Sequence, residues 1–217
     1  MARPRSDIEP RIVRAARRRF LEEGVDGASL RKIAADARTS IGMVYYYFPT
    51  KDDLFLAVVE ETYAKLLADM ALALGPDAPV KERIRRLYAR VGAVSDDELA
   101  TVRLVLREVL VSSSRLDGLL GRFQRGHLPL VFAMLADGVE DGTLRADLPP
   151  ALLFLCTLAV GAVPQLLQLA MGKRLPVGQG AVPDSAQLVE QLVGVLFEGV
   201  GTTYEKRKLP ASRRRRP

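Results

Sequence analysis

Residues 29–55 read SLRKIAADARTSIGMVYYYFPTKDDLF, and hydroxyl side chains and one proline divide them into segments. Ser29 opens a stretch in which Leu30, Ile33, Ala34 and Ala37 recur at helical spacing, which predicts a short helix of about three turns ending before Thr39. Ser40 is placed to cap a second helix over residues 41–47, which Pro49 stops because the residue before a proline avoids the helical region. Thr50 and Asp53 have the spacing of a capping box for a third. Two short helices joined by two or three residues make a helix-turn-helix, and the chemistry of the second decides whether it reads DNA. Val44 and Phe48 lie four apart and face inward. Ile41, Gly42, Met43, Tyr45 and Tyr46 are left around the outer and flanking faces without a charge among them, whereas a solvated helix would hold Lys or Glu. Gly42 permits close backbone approach, Ile41 and Met43 suit thymine methyl groups, and the phenols of Tyr45, Tyr46 and Tyr47 can donate to phosphates or base edges. Charge for the DNA backbone comes from Arg31 and Lys32, next to Ser29, and from Lys51 at the start of the following helix. The plain alternative is a tyrosine run that only packs.

Upstream, Ser6 with Glu9 has capping-box spacing, and Ile8, Ile12, Ala16 and Phe20 form one stripe of a helix over residues 7–23, with Gly24 just past its end. Downstream, Leu54, Val58, Leu66, Leu67, Met70 and Leu74 carry one helix from Thr50 to Gly75-Pro76. At ~1.5 Å per residue it is about 37 Å long, enough to bridge two subdomains. Further helices are predicted over 79–93, 96–113, 117–142, 149–171 and 184–206, with breaks at residues 77–79, 112–114, 147–149 and the Gly/Pro-rich stretch 176–183. Strand periodicity is nearly absent, so the fold class is all-α with about nine helices.

Composition excludes several classes. Of 217 residues, 48% are apolar and 27% charged, the balance of a globular chain. The net charge of +6 divides into +3 over residues 1–55, −4 over 56–205 and +7 over 206–217. Basic ends flank an acidic middle, which suggests a polyanionic partner, although an arginine tail such as Arg213–Arg216 is often merely solvated. Cys156 has no second cysteine to pair with and reads as packing, and with one histidine the chain lacks the ligands of a zinc site. The start MARPRSDIE has no apolar run behind it, so a cytoplasmic protein is expected. No nucleophile triad, phosphate loop or HExxH motif is present, and neither enzyme activity nor a cofactor is expected. Between Asp147 and Lys173 lie 25 uncharged residues. Pro149, Pro150 and Pro164, with Gln165 and Gln168, argue for a helix buried between subunits over a membrane span.

In the predicted helix over 96–113, Leu99, Val102, Leu106, Val109 and Leu110 make the buried stripe, with Arg103 and Arg107 on the wet side. Glu108 falls at the boundary, a counter-ion for a cationic effector or, more simply, a flank carboxylate paired with an arginine. His127 near Pro129 lines a ligand cavity or is an ordinary helix histidine. With Tyr63, Tyr88, Leu104, Phe123 and Phe132, these two complete a candidate effector lining that is apolar and aromatic.

The stretch Ser29–Phe55 closely resembles the DNA-binding signature of the tetracycline-repressor (TetR) family, with Ile33, Ala34, Ala37, Ser40, Gly42, Tyr45, Phe48, Lys51 and Leu54 at the family's spacing. Ile12, Ala15, Ala16, Phe20 and Gly24 match its first helix, so the resemblance covers residues 8–67. Arg38 departs from it at a turn position usually held by glycine, where a left-handed arginine costs ~1 kcal/mol, and Thr39 replaces the usual valine. Arg38 is also a candidate phosphate contact. The resemblance implies a DNA-binding module at 8–67, with the helix-turn-helix at 30–49, a ligand-binding and dimerisation domain at 68–208, and a disordered basic tail at 209–217. It further implies a homodimer on a palindromic operator of double-stranded DNA, joined through the last two long helices and released by a small-molecule effector. A helical small-molecule carrier or membrane-peripheral protein, its basic ends on lipid headgroups, is the reading from another class.

Overall fold

The computed structural model describes residues 7–171 and 184–198, and among these every element is a helix. α1 (Ile8–Gly27), α2 (Leu30–Asp36) and α3 (Ile41–Tyr47) form the amino-terminal unit, and α4 (Lys51–Ala73) leads away from it. The body consists of α5 (Val80–Gly92), α6 (Asp96–Val109), α7 (Ser113–Arg125), α8 (His127–Glu140), α9 (Pro150–Met171) and α10 (Ser185–Glu198). The arginine tail, the stretch 176–183 and the end of the last predicted helix, with Gly199 and Gly201, lie outside the described residues.

Local sequence explains the boundaries. The stripe Ile12, Ala16 and Phe20 of α1 is fully buried, and the helix kinks at Gly24, whose φ of 78° and ψ of 165° suit a residue without a Cβ. Asp7 stands at the N-cap of α1 and makes no side-chain capping bond there; Ser6, half of the predicted box, is outside the described residues. At the end of α2 the Thr39 N–H donates to the Ala34 carbonyl at 2.9 Å and the Arg38 N–H to that of Ala35 at 3.0 Å, the two bonds of a Schellman motif. Arg38 occupies its left-handed position with φ 52°. The turn therefore keeps the shape that favours glycine. Ser40 Oγ accepts from the Met43 N–H at 3.2 Å to cap α3, and Thr50 and Asp53 complete both halves of the capping box of α4.

Two apolar clusters hold the chain. One joins Phe20, Ile33, Val44, Leu54 and Phe55 of the amino-terminal unit and α4 to Leu104 of α6 and Leu119 of α7. The other joins Ile84 and Tyr88 of α5, Met134 and Leu135 of α8, Leu153 of α9 and Val193 of α10, with Leu74 just past the end of α4. Burying a side chain of this size contributes on the order of 1.5–3 kcal/mol. α4 reaches both clusters: Leu54 and Phe55 lie in the first and Met70 packs against the second, a reach its 23 residues span at ~1.5 Å per residue.

Several details differ from the sequence reading. The helix predicted over 117–142 is two helices broken at Gly126, where a Cβ would lie 2.0 Å from the Tyr63 hydroxyl oxygen. α7 starts early, at Ser113, because Ser112 Oγ accepts from the Arg115 N–H at 3.4 Å. α6 is rotated from its predicted stripe: Leu99, Thr101, Leu104 and Glu108 face inward, while Leu106 and Leu110 are 56% and 87% exposed. The inward polar groups find partners distant in sequence, which an apolar count does not see. α9 runs straight through Pro164 because a π-helical turn at Leu158–Ala162 precedes it and absorbs the missing donor. Cys156 is exposed on that helix rather than packed, on a face left uncovered among the described residues.

Candidate functional site

α3 stands on the outside of the amino-terminal unit with Val44 and, just past its end, Phe48 buried beneath it. Tyr45 and Tyr46 project from it, 52% and 76% exposed, and Gly42 is also exposed. Met43 is half-buried. Ile41, expected on the outer and flanking faces, and Tyr47, read as a phenol donating to DNA, pack partly against the core, so they set the helix's seat as much as its surface. Arg31 and Lys32 are exposed at the start of α2. Ser29 is the N-cap of α2 without using its side chain, so its hydroxyl stays available to a phosphate. Lys51 Nζ donates to the Asp26 carbonyl at 3.0 Å, which holds the ammonium at the junction of α1 and α4 beside α3.

Beneath that junction lies a group of charges centred on Arg115 of α7, itself 6% exposed. Its Nη1 donates to Glu108 Oε2 at 2.6 Å, its Nε to Asp52 Oδ1 at 2.9 Å, and its Nη2 to Asp26. Glu108 Oε1 accepts from the Val25 N–H at 3.2 Å and from Arg107 Nε at 3.1 Å, while Arg107 also donates to the Phe20 carbonyl. Ser114 Oγ donates to Asp52 Oδ2 at 2.8 Å. Burial works against the charge on Arg115, but the hydrogen bonds to Asp26 and Asp52 outweigh it and hold the guanidinium's pKa above its ordinary value. The same hydrogen bond to Arg115 draws Asp26 below the usual carboxylate range. One arginine of the body thus grips the end of α1, through Asp26, and the start of α4, through Asp52. Sequence reasoning missed it because Arg115 fell in a predicted loop; a charge four residues before buried Leu119 on a helix was the available signal.

Glu108 is accordingly not a free counter-ion: both its oxygens are occupied within the protein. The candidate lining set does not converge as a whole. Leu104 and Glu108 face the amino-terminal unit, Tyr88 sits in the other cluster with its hydroxyl donating to the Thr157 carbonyl at 2.9 Å, and Phe132 stacks on Phe154 at the surface. Tyr63, Phe123 and His127 do come together, with ring centroids 4.9–5.8 Å apart. The Tyr63 oxygen accepts from the His127 backbone N–H at 3.0 Å and lies 2.8 Å from His127 Nδ1. Phenol and ring nitrogen share one hydrogen bond, whose donor is set by the imidazole tautomer. Burial lowers the pKa of His127 and raises that of Tyr63, so both are neutral near pH 7. Tyr63 therefore ties α4 to the break between α7 and α8.

Residues 12–58 match the sequence model of the family described as bacterial regulatory proteins, tetR family. The HTH-type transcriptional repressor SCO4008 of Streptomyces coelicolor is 29% identical over 177 residues, 79% of this chain and 87% of that protein. The fatty acid metabolism regulator protein of Bacillus subtilis is 25% identical over 140 residues, 63% of this chain and 71% of its own. Among solved structures, the transcriptional regulator FadR from Bacillus subtilis in complex with stearoyl-CoA superposes with a TM-score of 0.71 at 17% identity, covering 88% of this chain and 99% of that one.

Proposed function

We propose, from the premise that the chain belongs to the TetR family of bacterial transcriptional regulators, that it is a cytoplasmic repressor that binds a palindromic operator as a homodimer and leaves it when a small hydrophobic effector enters the body. The observation that carries this reading is the uncharged, outward face of α3, with Tyr45 and Tyr46 exposed above buried Val44 and Lys51 anchored beside it. Such a face is poorly suited to water and well suited to base edges in a major groove. A carrier or membrane-peripheral protein has no use for a capped helix-turn-helix of this kind, and that reading is not favoured.

Release follows from the connections of α4. Its start adjoins α3 and is gripped through Asp52 by Arg115, and its middle is tied through Tyr63 to His127. An effector that separates α7 from α8 would shift both ties, and a tilt of α4 changes the spacing of two recognition helices in a dimer. By linkage, an effector that weakens operator binding must itself bind less tightly when operator is present. The relative crystallised with stearoyl-CoA makes that acyl thioester the first compound to assay.

Selection of duplexes from a random pool tests the DNA reading. A selected duplex should outcompete random DNA. Met43→Ala should then alter preference at one base-pair position, whereas Lys51→Ala should weaken all sequences alike and lower the salt slope by about one unit. Selected DNA that binds no better than random sequence refutes the reading.

A further inference from the structure

The face of α1 that runs beside the α2–α3 turn is basic, and most of its charge is unspent. Arg11, Arg14, Arg18 and Arg38 line a shallow, open hollow of about 360 Å³, with Asp36 the one acidic residue in its wall. Asp36 does not neutralise the hollow, because it is already shared: Arg19 Nε donates to it at 2.8 Å and Arg18 at 2.7 Å. Those hydrogen bonds, that of Arg19 first, hold its carboxyl at about 2. Arg11 keeps only a loose contact, 3.6 Å, with an exposed Asp7. Arg14 and Arg38 have no carboxylate partner among the described residues, and Arg38 is held left-handed at φ 52°, two residues before the N-cap of α3. Retaining an arginine where glycine would relieve ~1 kcal/mol of strain is a local cost that no ion pair or hydrogen bond of its side chain offsets among the described residues.

We propose that Arg14 and Arg38, with Arg11, form a second phosphate-binding surface that grips the DNA backbone bordering the groove entered by α3. The inference rests on the DNA-binding reading above and adds to Arg31, Lys32 and Lys51 a contact on α1 and the turn before the recognition helix. Position and shape both point to a duplex. The hollow adjoins the turn that leads into α3, so a strand bordering the major groove passes over it. It is open rather than enclosing, as suits a passing backbone better than a small free anion. Arg11 to Arg18 spans two helical turns, ~10 Å at ~1.5 Å per residue, the axial span of about three phosphates on one strand.

The test uses the full chain and a fluorescent duplex, with affinity measured against salt concentration. Arg38→Gly and Arg14→Ala should each lower the slope of log affinity against log salt by about one unit, and the double variant by about two. The ranking of operator variants should not change, since phosphate contacts carry no sequence information. Arg38→Gly should melt no lower than the parent, because glycine relieves the strained turn; its loss of affinity therefore cannot come from unfolding. Arg145→Ala, the same charge change on the body, should leave the slope alone. Phosphate contacts act on any duplex, so slopes on random DNA decide this inference, while duplex selection decides the operator reading. Parental slopes in both variants overturn the proposal. So does stabilisation of the free protein by inorganic phosphate that disappears in Arg14→Ala, which would mark a small-anion site instead.

Discussion

His127 shows how one residue can make stability depend on pH. Burial lowers its pKa, so the folded protein binds its proton at lower pH than the unfolded chain does. Its contribution is whole above the unfolded value of about 6.5 and is lost as pH falls below it toward the folded pKa. Replacing His127 with Phe removes the titrating group while keeping an aromatic ring against Tyr63 and Phe123. Between pH 7 and pH 5 the urea midpoint of the variant should therefore fall less than that of the parent; equal falls would separate His127 from the acid response. What was legible at this scale was local. Arg38 stood out through the resemblance, at a turn position usually held by glycine, which left a strained or a differently shaped turn; its φ of 52° is the strained one. The partner of His127 was not readable, since Tyr63 lies 64 positions away and only the packing of α4 on the α7–α8 break brings it close.

Among the elements, α6 and α7 join the amino-terminal unit to the body through a buried pair. Arg115 and Glu108 are 6% and 3% exposed, so removing Arg115 takes the buried partner from one Glu108 oxygen and leaves the carboxylate only the Val25 N–H and Arg107. Arg115→Ala should cost about 3–5 kcal/mol in chemical unfolding, and Arg115→Met together with Glu108→Leu should recover only part of that, because the apolar pair removes both buried charges but leaves the Val25 N–H without its acceptor. A loss below about 1 kcal/mol for Arg115→Ala, the range of exposed ion pairs, would mean that water reaches the group. This pair also explains why α6 was read with the wrong face inward. Leu106 and Leu110 satisfy the apolar pattern but stay outside, because the arginine that turns Glu108 inward comes from the next helix, and its other carboxylates lie 63 and 89 positions back. The capped helices α3 and α4 needed no such distant information, and their boundaries follow from Ser40, Pro49, Thr50 and Asp53 alone.

At the scale of the whole molecule the notable surface is α9. It is 22 residues long and apolar enough to cross a membrane, and only 28% of its most apolar window is buried within the chain. Leu152, Leu155, Leu158, Val163 and Leu167 stand 43–56% exposed along it. The same helix turns Gln165 fully inward, where its amide donates to the Tyr88 and Gly161 carbonyls at 3.0 and 2.8 Å. A helix that turns Leu153, Thr157 and Gln165 inward and leaves this row of leucines and Val163 exposed among the described residues presents an apolar face suited to a cover. In the proposed homodimer a second copy of the chain would supply one by two-fold symmetry, the symmetry that two recognition helices need to read half-sites about 34 Å apart. Changing Leu155 and Leu158 together to Arg places charge in the middle of that face without touching the core. The variant should sediment as a monomer while the parent sediments at twice the chain's mass. It should keep its helical circular dichroism, and it should lose most of its affinity for a two-half-site duplex while holding a single half-site about as weakly as the parent does. A variant that still sediments at twice the chain's mass would place the interface elsewhere. A monomeric parent that partitions onto lipid vesicles would assign the face to a membrane surface and remove the basis for palindrome recognition.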